Sequence, residues 1–166
     1  MRPIGVGPRF QPPVRGAVVG TCRPSLGPRN EAHVEVFAAN RVVIVPAGIG
    51  TRPPRLVTDA RITSARCYGA IVTLDPTGVV LLRRSSRLTL AALFSAWGEP
   101  LTSTRVLSFA ASGGAHVRVF VDGHAFPGPP GTVPLTQHAE VVVEVGPYVP
   151  PHHSFVFPLA PRGHSG

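Results

Sequence analysis

Residues 70–97, AIVTLDPTGVVLLRRSSRLTLAALFSAW, constrain the fold more than any other stretch of the chain. Two apolar, partly β-branched runs flank an Asp-Pro-Thr-Gly sequence, which is turn chemistry, so they read as two strands folded about a turn. After them, Leu90, Leu93, Phe94 and Trp97 are spaced to put four apolar groups on one face of a short helix. Thr89 is placed to cap that helix and Gly98 to stop it. A helix of about ten residues is marginal alone and must pack on a sheet. The same block carries little chemistry. Between Ile71 and Leu82, only Thr73, Asp75 and Thr77 have side chains able to bind a metal, accept a proton or attack a substrate.

Breakers set the organisation elsewhere, because 20 prolines and 18 glycines leave room mainly for short strands and turns. Residues 1–29, with prolines at 3, 8, 12, 13, 24 and 28, read as an extended or disordered Pro/Arg-rich lead-in. Residues 32–46 alternate apolar and polar, turn at Ala39 and Asn40, and resume as a β-branched run, which is a hairpin signal. Residues 47–66 hold an AGIGT turn, Pro53 and Pro54, and several arginines, and are expected to form a surface loop. Asp122 and Gly123, between two short apolar runs, give the strongest hairpin turn in the chain. Residues 127–134 read as a Pro/Gly loop and 139–145 as a last strand. In that strand Glu140 and Glu144 alternate with Val141, Val143 and Val145, so the two acids are expected on its wet face. Residues 147–166 form a Pro/His-rich tail.

The order strand, strand, helix, strand, short strand, loop, strand is that of a β-grasp. The expected class is therefore α+β, a β-rich mixed sheet around one helix at about residues 89–97, with an N-terminal β-hairpin extension and a single domain over 30–146. LTLAALFSAWG, VRVFVDGHAF and PLTQHAEVVVEVG are similar to the pattern of the ubiquitin-like sulfur-carrier proteins. Those carriers end in a Gly-Gly whose carboxylate is activated, whereas here Pro147, Pro150 and Pro151 follow the last strand, so the resemblance implies fold and not carrier chemistry.

The formal charge is +8, and all sixteen basic residues are arginine. Charge of this size draws a protein toward anions. Apart from Arg83, Arg84 and Arg87, however, the arginines are scattered without interleaved aromatics, which argues against a specific nucleic-acid reader. With Arg52 and Arg55, those three form the expected contact surface for a protein or anionic partner. Cys22 and Cys67 allow one disulfide or two buried thiols and no four-cysteine metal site. Paired, they would close a loop of about 45 residues and stabilise the fold by roughly 3 to 4 kcal/mol. No apolar run reaches the length of a membrane-spanning helix. The apolar core of residues 14–22 is too short to read as a targeting segment.

A wider resemblance covers residues 22–158. HVEVFAANRVVIVPAGIG, LDPTGVV, TLAALFSAWGEPLTSTRV, VFVDG and PLTQHAEVVVEVG resemble, in that order, a group of uncharacterised, mostly exported bacterial proteins. In many of them a His-x-His pair opens the first hairpin, and a Leu-His-Thr-His-Asp-x-Thr/Ser-Gly-Ile-Ile-His segment follows. The resemblance implies architecture and an extracytoplasmic or secreted location. In this chain the first pair becomes Glu31-Ala32-His33, and Val72, Leu74 and Leu81 stand where the later histidines would be; Thr73, Asp75, Thr77 and Gly78 remain. Alternation would have put the histidines of His-Thr-His on one strand face, a geometry suited to a borderline metal. Here that face is aliphatic.

The residual ligand set is Glu31, His33 and Asp75, for one divalent metal ion. His152 and His153 resemble a metal-binding pair by composition but sit in a Pro-rich tail and are expected to face solvent. His116, His124 and His138 have no matched acid and nucleophile, and Ser85 and Ser86 lack a nucleophile-elbow pattern. The sequence therefore points to a non-catalytic extracytoplasmic binding or interaction module without a cofactor. A residual divalent-metal-binding protein is the alternative, and an enzyme of unknown reaction the third reading. Oligomeric state is not encoded in any pattern here.

Overall fold

The ten-residue run Arg29–Ala38 (β2) is the strand around which the rest is built. The computed structural model describes residues 12–158, together with the backbone of Arg2–Pro3 (β1), which pairs in parallel with Arg41–Val43 (β3). Along one side, β2 pairs in parallel with Glu140–Val145 (β12), Glu140 opposite His33 and Val145 opposite Ala38. Along its other side it pairs antiparallel with β3 near its C-terminal end and with Val79–Arg83 (β7) near its start, His33 opposite Val79. Arg118–Val121 (β10) extends the sheet beyond β12, His124–Ala125 (β11) closes that edge, and Ile71–Val72 (β6) pairs with β7. The result is α+β: a mixed sheet, mostly strands, with a parallel pair at its centre.

The turns follow from local chemistry. Ala39 and Asn40 have φ of 50° and 63°, and Asp122 and Gly123 have 50° and 83°. Positive φ at both central positions is the type I′ arrangement, whose twist matches that of the flanking strands.

Since side chains alternate along a strand, the sheet has two distinct faces. One carries Val34, Val36, Val80, Val141 and Val143, each no more than 1% exposed. On it lies the one α-helix among the described residues, Leu90–Trp97 (α1), burying Leu90, Leu93, Phe94 and Trp97. Each of these large side chains contributes roughly 1.5 to 3 kcal/mol through removal from water. The helix ends as its sequence implies, with Gly98 at φ 85° donating its N–H to the Phe94 and Ser95 carbonyls. Its start differs from expectation. Thr89 makes no side-chain capping bond. Instead the Leu90 N–H donates to the Val133 carbonyl, 2.9 Å away, so the loop carrying the 3-10 turn Pro130–Thr132 satisfies the exposed donor.

Residues 47–66 correct the surface-loop expectation. Thr51–Thr58 (β4) and Arg61–Tyr68 (β5) form an antiparallel ribbon, turning at Asp59 and Ala60 with φ of 49° and 67°. Its register shifts between Arg52 and Arg55, where Pro53 and Pro54 lie. Prolines that would break a central strand are accommodated there because an edge bulge needs no donor from them. A second small ribbon joins Arg105–Val106 (β8) to Phe109–Ala110 (β9).

The chain before β2 is extended and docked from residue 12 onward. Arg15 and Gly16 donate to the Trp97 carbonyl, Ala70 donates to Val19, and Arg23 and Tyr68 exchange backbone bonds. Cys22 and Cys67 are joined, with Cα atoms 5.3 Å apart. Val72, Leu74 and Leu81 pack with Ile62 and Tyr68 in a separate apolar cluster. Among the described residues, no helix is long and apolar enough to cross a membrane.

Candidate metal centre

The sheet face away from the helix mixes an apolar patch with ionisable groups that are nonetheless buried. His33 on β2 is 4% exposed, and Glu140 and Glu144 on β12 are both 0% exposed. This corrects the wet-face expectation for the two acids. Alternation does turn them away from the helix, but residues 147–158 run back across that face and cover it. Val149 packs against Phe37, Phe120 and Val142. Phe155 stacks on the His33 ring, with centroids 3.7 Å apart and planes 9° from parallel.

Register and turn together build the cluster. Parallel pairing sets Glu140 directly opposite His33, while alternation along β2 puts Glu35 on the same face. The two His33 nitrogens have different partners. Nε2 donates to the Thr77 carbonyl at 2.9 Å, and since a carbonyl can only accept, that nitrogen carries a proton. Nδ1 then faces Glu140 Oε2 at 2.7 Å and Glu35 Oε1 at 3.8 Å. The Asp-Pro-Thr-Gly turn positions the ring by this contact. Gly78 sits there at φ 84°, and a Cβ on it would meet His33 Nε2 at 2.9 Å, so the close approach needs glycine.

Charge is not balanced within the cluster. Ligand atoms of His33, Glu35 and Glu140 all lie within 4.8 Å of one another. Glu140 has only the His33 ring as a cationic partner, while the second carboxylate, Glu35, is shared between His33 and the exposed His152. The buried part of the group is therefore short of positive charge, and Glu140 Oε1 is buried with no hydrogen-bond partner among the described residues. Burial pushes the Glu140 carboxyl above its ordinary value, helped by Glu35 and opposed by His33. Burial alone would push the His33 imidazole down, but its hydrogen bond to Glu140 and the nearby carboxylates raise it. The cluster therefore holds a proton tightly, as a site short of positive charge should.

An imidazole whose far N–H is held by a backbone carbonyl, facing two carboxylates, is a donor set for a divalent ion of the first transition row or zinc. Beside it lies a cavity of about 400 Å³ whose walls include His33, Glu35, Phe37, Val42, Val149 and His152.

Of the residues expected from sequence to hold a metal, only His33 belongs to this cluster. The Asp75 carboxylate is paired with the Arg61 guanidinium, and Glu31 and Asp75 line a different cavity of about 340 Å³. The Glu31 backbone N–H donates to Gln137 Oε1 at 2.8 Å. The sequence did not place Glu35 or Glu140 at a metal site, and it set His152 aside as a solvent-facing tail residue. The first was available from its two-residue spacing to His33. Glu140 required the parallel register, and His152 the path of the tail. His152 is largely exposed as expected, with its side chain 66% accessible, yet its Nδ1 lies 2.8 Å from Glu35 Oε2.

The arginines also separate. Arg52, Arg84 and Arg87 are exposed, while Arg55 is half-buried and bonded to Thr51. Arg83 corrects the surface expectation: it is 9% exposed and donates to the Thr21 and Tyr68 carbonyls, because the docked lead-in closes over it. Burial, with Arg83 and Arg23 nearby, pulls Arg29 down to about 10.

No protein-family model, curated protein or solved structure matches the chain. The geometry of the cluster is accordingly the ground for a functional reading.

Proposed function

We propose that the chain is a non-catalytic binding module whose ligand is a single divalent metal ion, held by His33 Nδ1, Glu35 and Glu140. The observation that carries the reading is the buried Glu140 carboxylate, with one oxygen unpartnered among the described residues, beside a second carboxylate and an imidazole nitrogen. Burying such a group without compensation is costly, and a dication both neutralises the two acids and takes up the free lone pairs. The mixed nitrogen and oxygen set favours zinc or a similar borderline ion over calcium, which wants six to eight oxygens. This site differs from the histidine-rich pattern of the resembled group, since its acids come from β2 and β12 and not from the 70–82 hairpin.

We also propose a β-grasp fold and an extracytoplasmic location. The strand order β3-β2-β12-β10-β11, with its central parallel pair and one helix on one face, supports a β-grasp. The Cys22 to Cys67 pair supports an oxidising, extracytoplasmic compartment.

Chelation followed by reloading and elemental analysis tests the metal reading. One zinc per chain should return, and Glu140→Gln should reduce it to background. If no metal returns to the wild-type protein, the reading is wrong.

A contact surface is the second reading, favoured by the exposed Leu56 and Val57 beside Arg52 on the β4–β5 ribbon. Binding to anionic vesicles at low salt that is lost in Leu56→Ser/Arg52→Ser would support it, and equal binding by both proteins would remove it.

A further inference from the structure

Resting on the metal reading above, we infer that His152 is the fourth ligand and that residues 147–158 act as a strap which the metal ion clamps shut. Glu35 Oε1 lies 3.8 Å from His33 Nδ1 and 3.0 Å from His152 Nδ1, so two imidazole nitrogens converge on the same carboxylate. Ligands about 2.0 to 2.2 Å from a tetrahedral ion stand roughly 3.3 to 3.6 Å from one another. The separations of 2.7 Å from His33 to Glu140, 3.8 Å from His33 to Glu35 and 3.0 Å from His152 to Glu35 bracket that range. Of these donors only His33, Glu35 and Glu140 already lie mutually within 4.8 Å, so His152, which touches Glu35 alone of the three, must swing toward them as the ion enters. A small opening of the His33–Glu140 contact would let an ion replace the shared proton. The donor set then becomes two nitrogens and two carboxylate oxygens, electrically neutral with a dication.

A histidine in a proline-rich tail would be a poor ligand if the tail were loose. Here it is pinned on both sides. Upstream, Val149 is buried and donates its N–H to Glu144 Oε2 at 3.3 Å. Downstream, Phe155 stacks on His33, and Phe157 lies against both Phe155 and His138, with centroids 5.0 and 4.9 Å apart. Pro150 and Pro151 stiffen the intervening backbone.

The way the strap is held adds a second argument. Its polar anchors in the described residues are Glu144 and Glu35, and its aromatic anchors include His33 and His138. It adds no strand to the sheet, so it can lift without breaking a ladder. Four protein ligands also close the coordination sphere, which suits storage, sensing or structural use better than catalysis, where a position is kept for substrate.

The test uses the full chain loaded with Co²⁺ after chelation, comparing wild type, His152→Ala and, as a control, His153→Ala. Visible absorption reports coordination, since four-coordinate cobalt absorbs much more strongly than six-coordinate cobalt. Limited chymotrypsin digestion, with cuts mapped at Tyr148, Phe155 and Phe157, reports the strap. Wild type and His153→Ala should give intense bands and metal-dependent protection. His152→Ala should bind roughly 10- to 100-fold more weakly, with weak bands and no protection. If wild type binds cobalt but His152→Ala matches it in affinity, spectrum and protection, the strap inference fails and the three-ligand reading stands. If wild type binds no cobalt, both fail together.

Discussion

The two faces of the central sheet are buried to the same extent by opposite means. Toward the helix, Val34, Val36, Val141 and Val143 meet Leu93, Phe94 and Trp97, and the interface is apolar throughout. Toward the strap, Glu140 and Glu144 are as inaccessible as those valines and His33 nearly so, and beside the apolar patch of Phe37, Phe120 and Val142 they meet a tail of histidines, prolines and phenylalanines. The first arrangement is what hydrophobic burial alone would produce. The second works against stability, because buried ionisable groups return less than hydrophobic groups of the same volume. The comparison shows that burial does not reveal what a face is for. An apolar buried face holds the fold, and a buried face rich in acids and imidazoles needs a ligand to account for it.

The largest loss is expected at Trp97, on the apolar face. Trp97→Ala should cost about 3 to 5 kcal/mol in denaturant melts, since the helix has no other large anchor at its C-terminal end. Removing the disulfide with Cys22→Ala/Cys67→Ala should cost about 2 to 4 kcal/mol on the same assay, because it frees the lead-in that closes the edge near Arg83. Glu140→Gln should behave in the opposite way. Metal binding should be lost, while metal-free stability stays within about 1 kcal/mol, since the amide oxygen still accepts from its neighbours.

The same contrast explains what could be read from the chain beforehand. The helix-side face was legible because Leu90, Leu93, Phe94 and Trp97 follow a 3.6-residue period and the valines of residues 139–145 follow a two-residue one. Gly98, the Ala39 and Asn40 turn and the Asp122-Gly123 turn were legible from backbone chemistry that few other residues support. The β4–β5 ribbon was hidden by Pro53 and Pro54, which signal a loop unless a bulge takes them in. The strap-side face was hidden for a different reason. Glu140 and Glu144 alternate with valines as solvent-facing acids do, and only a distant segment bending back over them reverses that meaning. Charge on a strand face says that it does not pack on the helix, and nothing about whether something else packs on it.

Smaller effects sharpen the comparison further. In metal-free protein, the His33 imidazole is raised above its ordinary 6.5 by Glu140, Thr77 and Glu35 acting against burial. Its folded value exceeds its unfolded one, so its contribution to stability is complete below pH of about 6.5 and fades as the pH climbs through the folded value. Urea melts of metal-free protein at pH 6 and pH 9 should show that loss, and His33→Gln should remove the difference. Metal affinity should run the other way, rising with pH as the competing proton leaves. Smallest of all is Glu144→Gln. Burial raises the Glu144 carboxyl, against the pull of the Val149 N–H and Arg118, so its ionised form is penalised in the fold. The neutral amide should leave stability at pH 7 equal or up to about 1 kcal/mol higher, with metal affinity unchanged.

The claim that the strap-side face exists for a metal ion is tested most directly by anomalous scattering from crystals of the zinc-loaded protein. The account predicts one zinc peak bonded to His33 Nδ1, Glu35 and Glu140. A peak confined to the exposed His153, or no peak at all from protein soaked at saturating zinc, would contradict it.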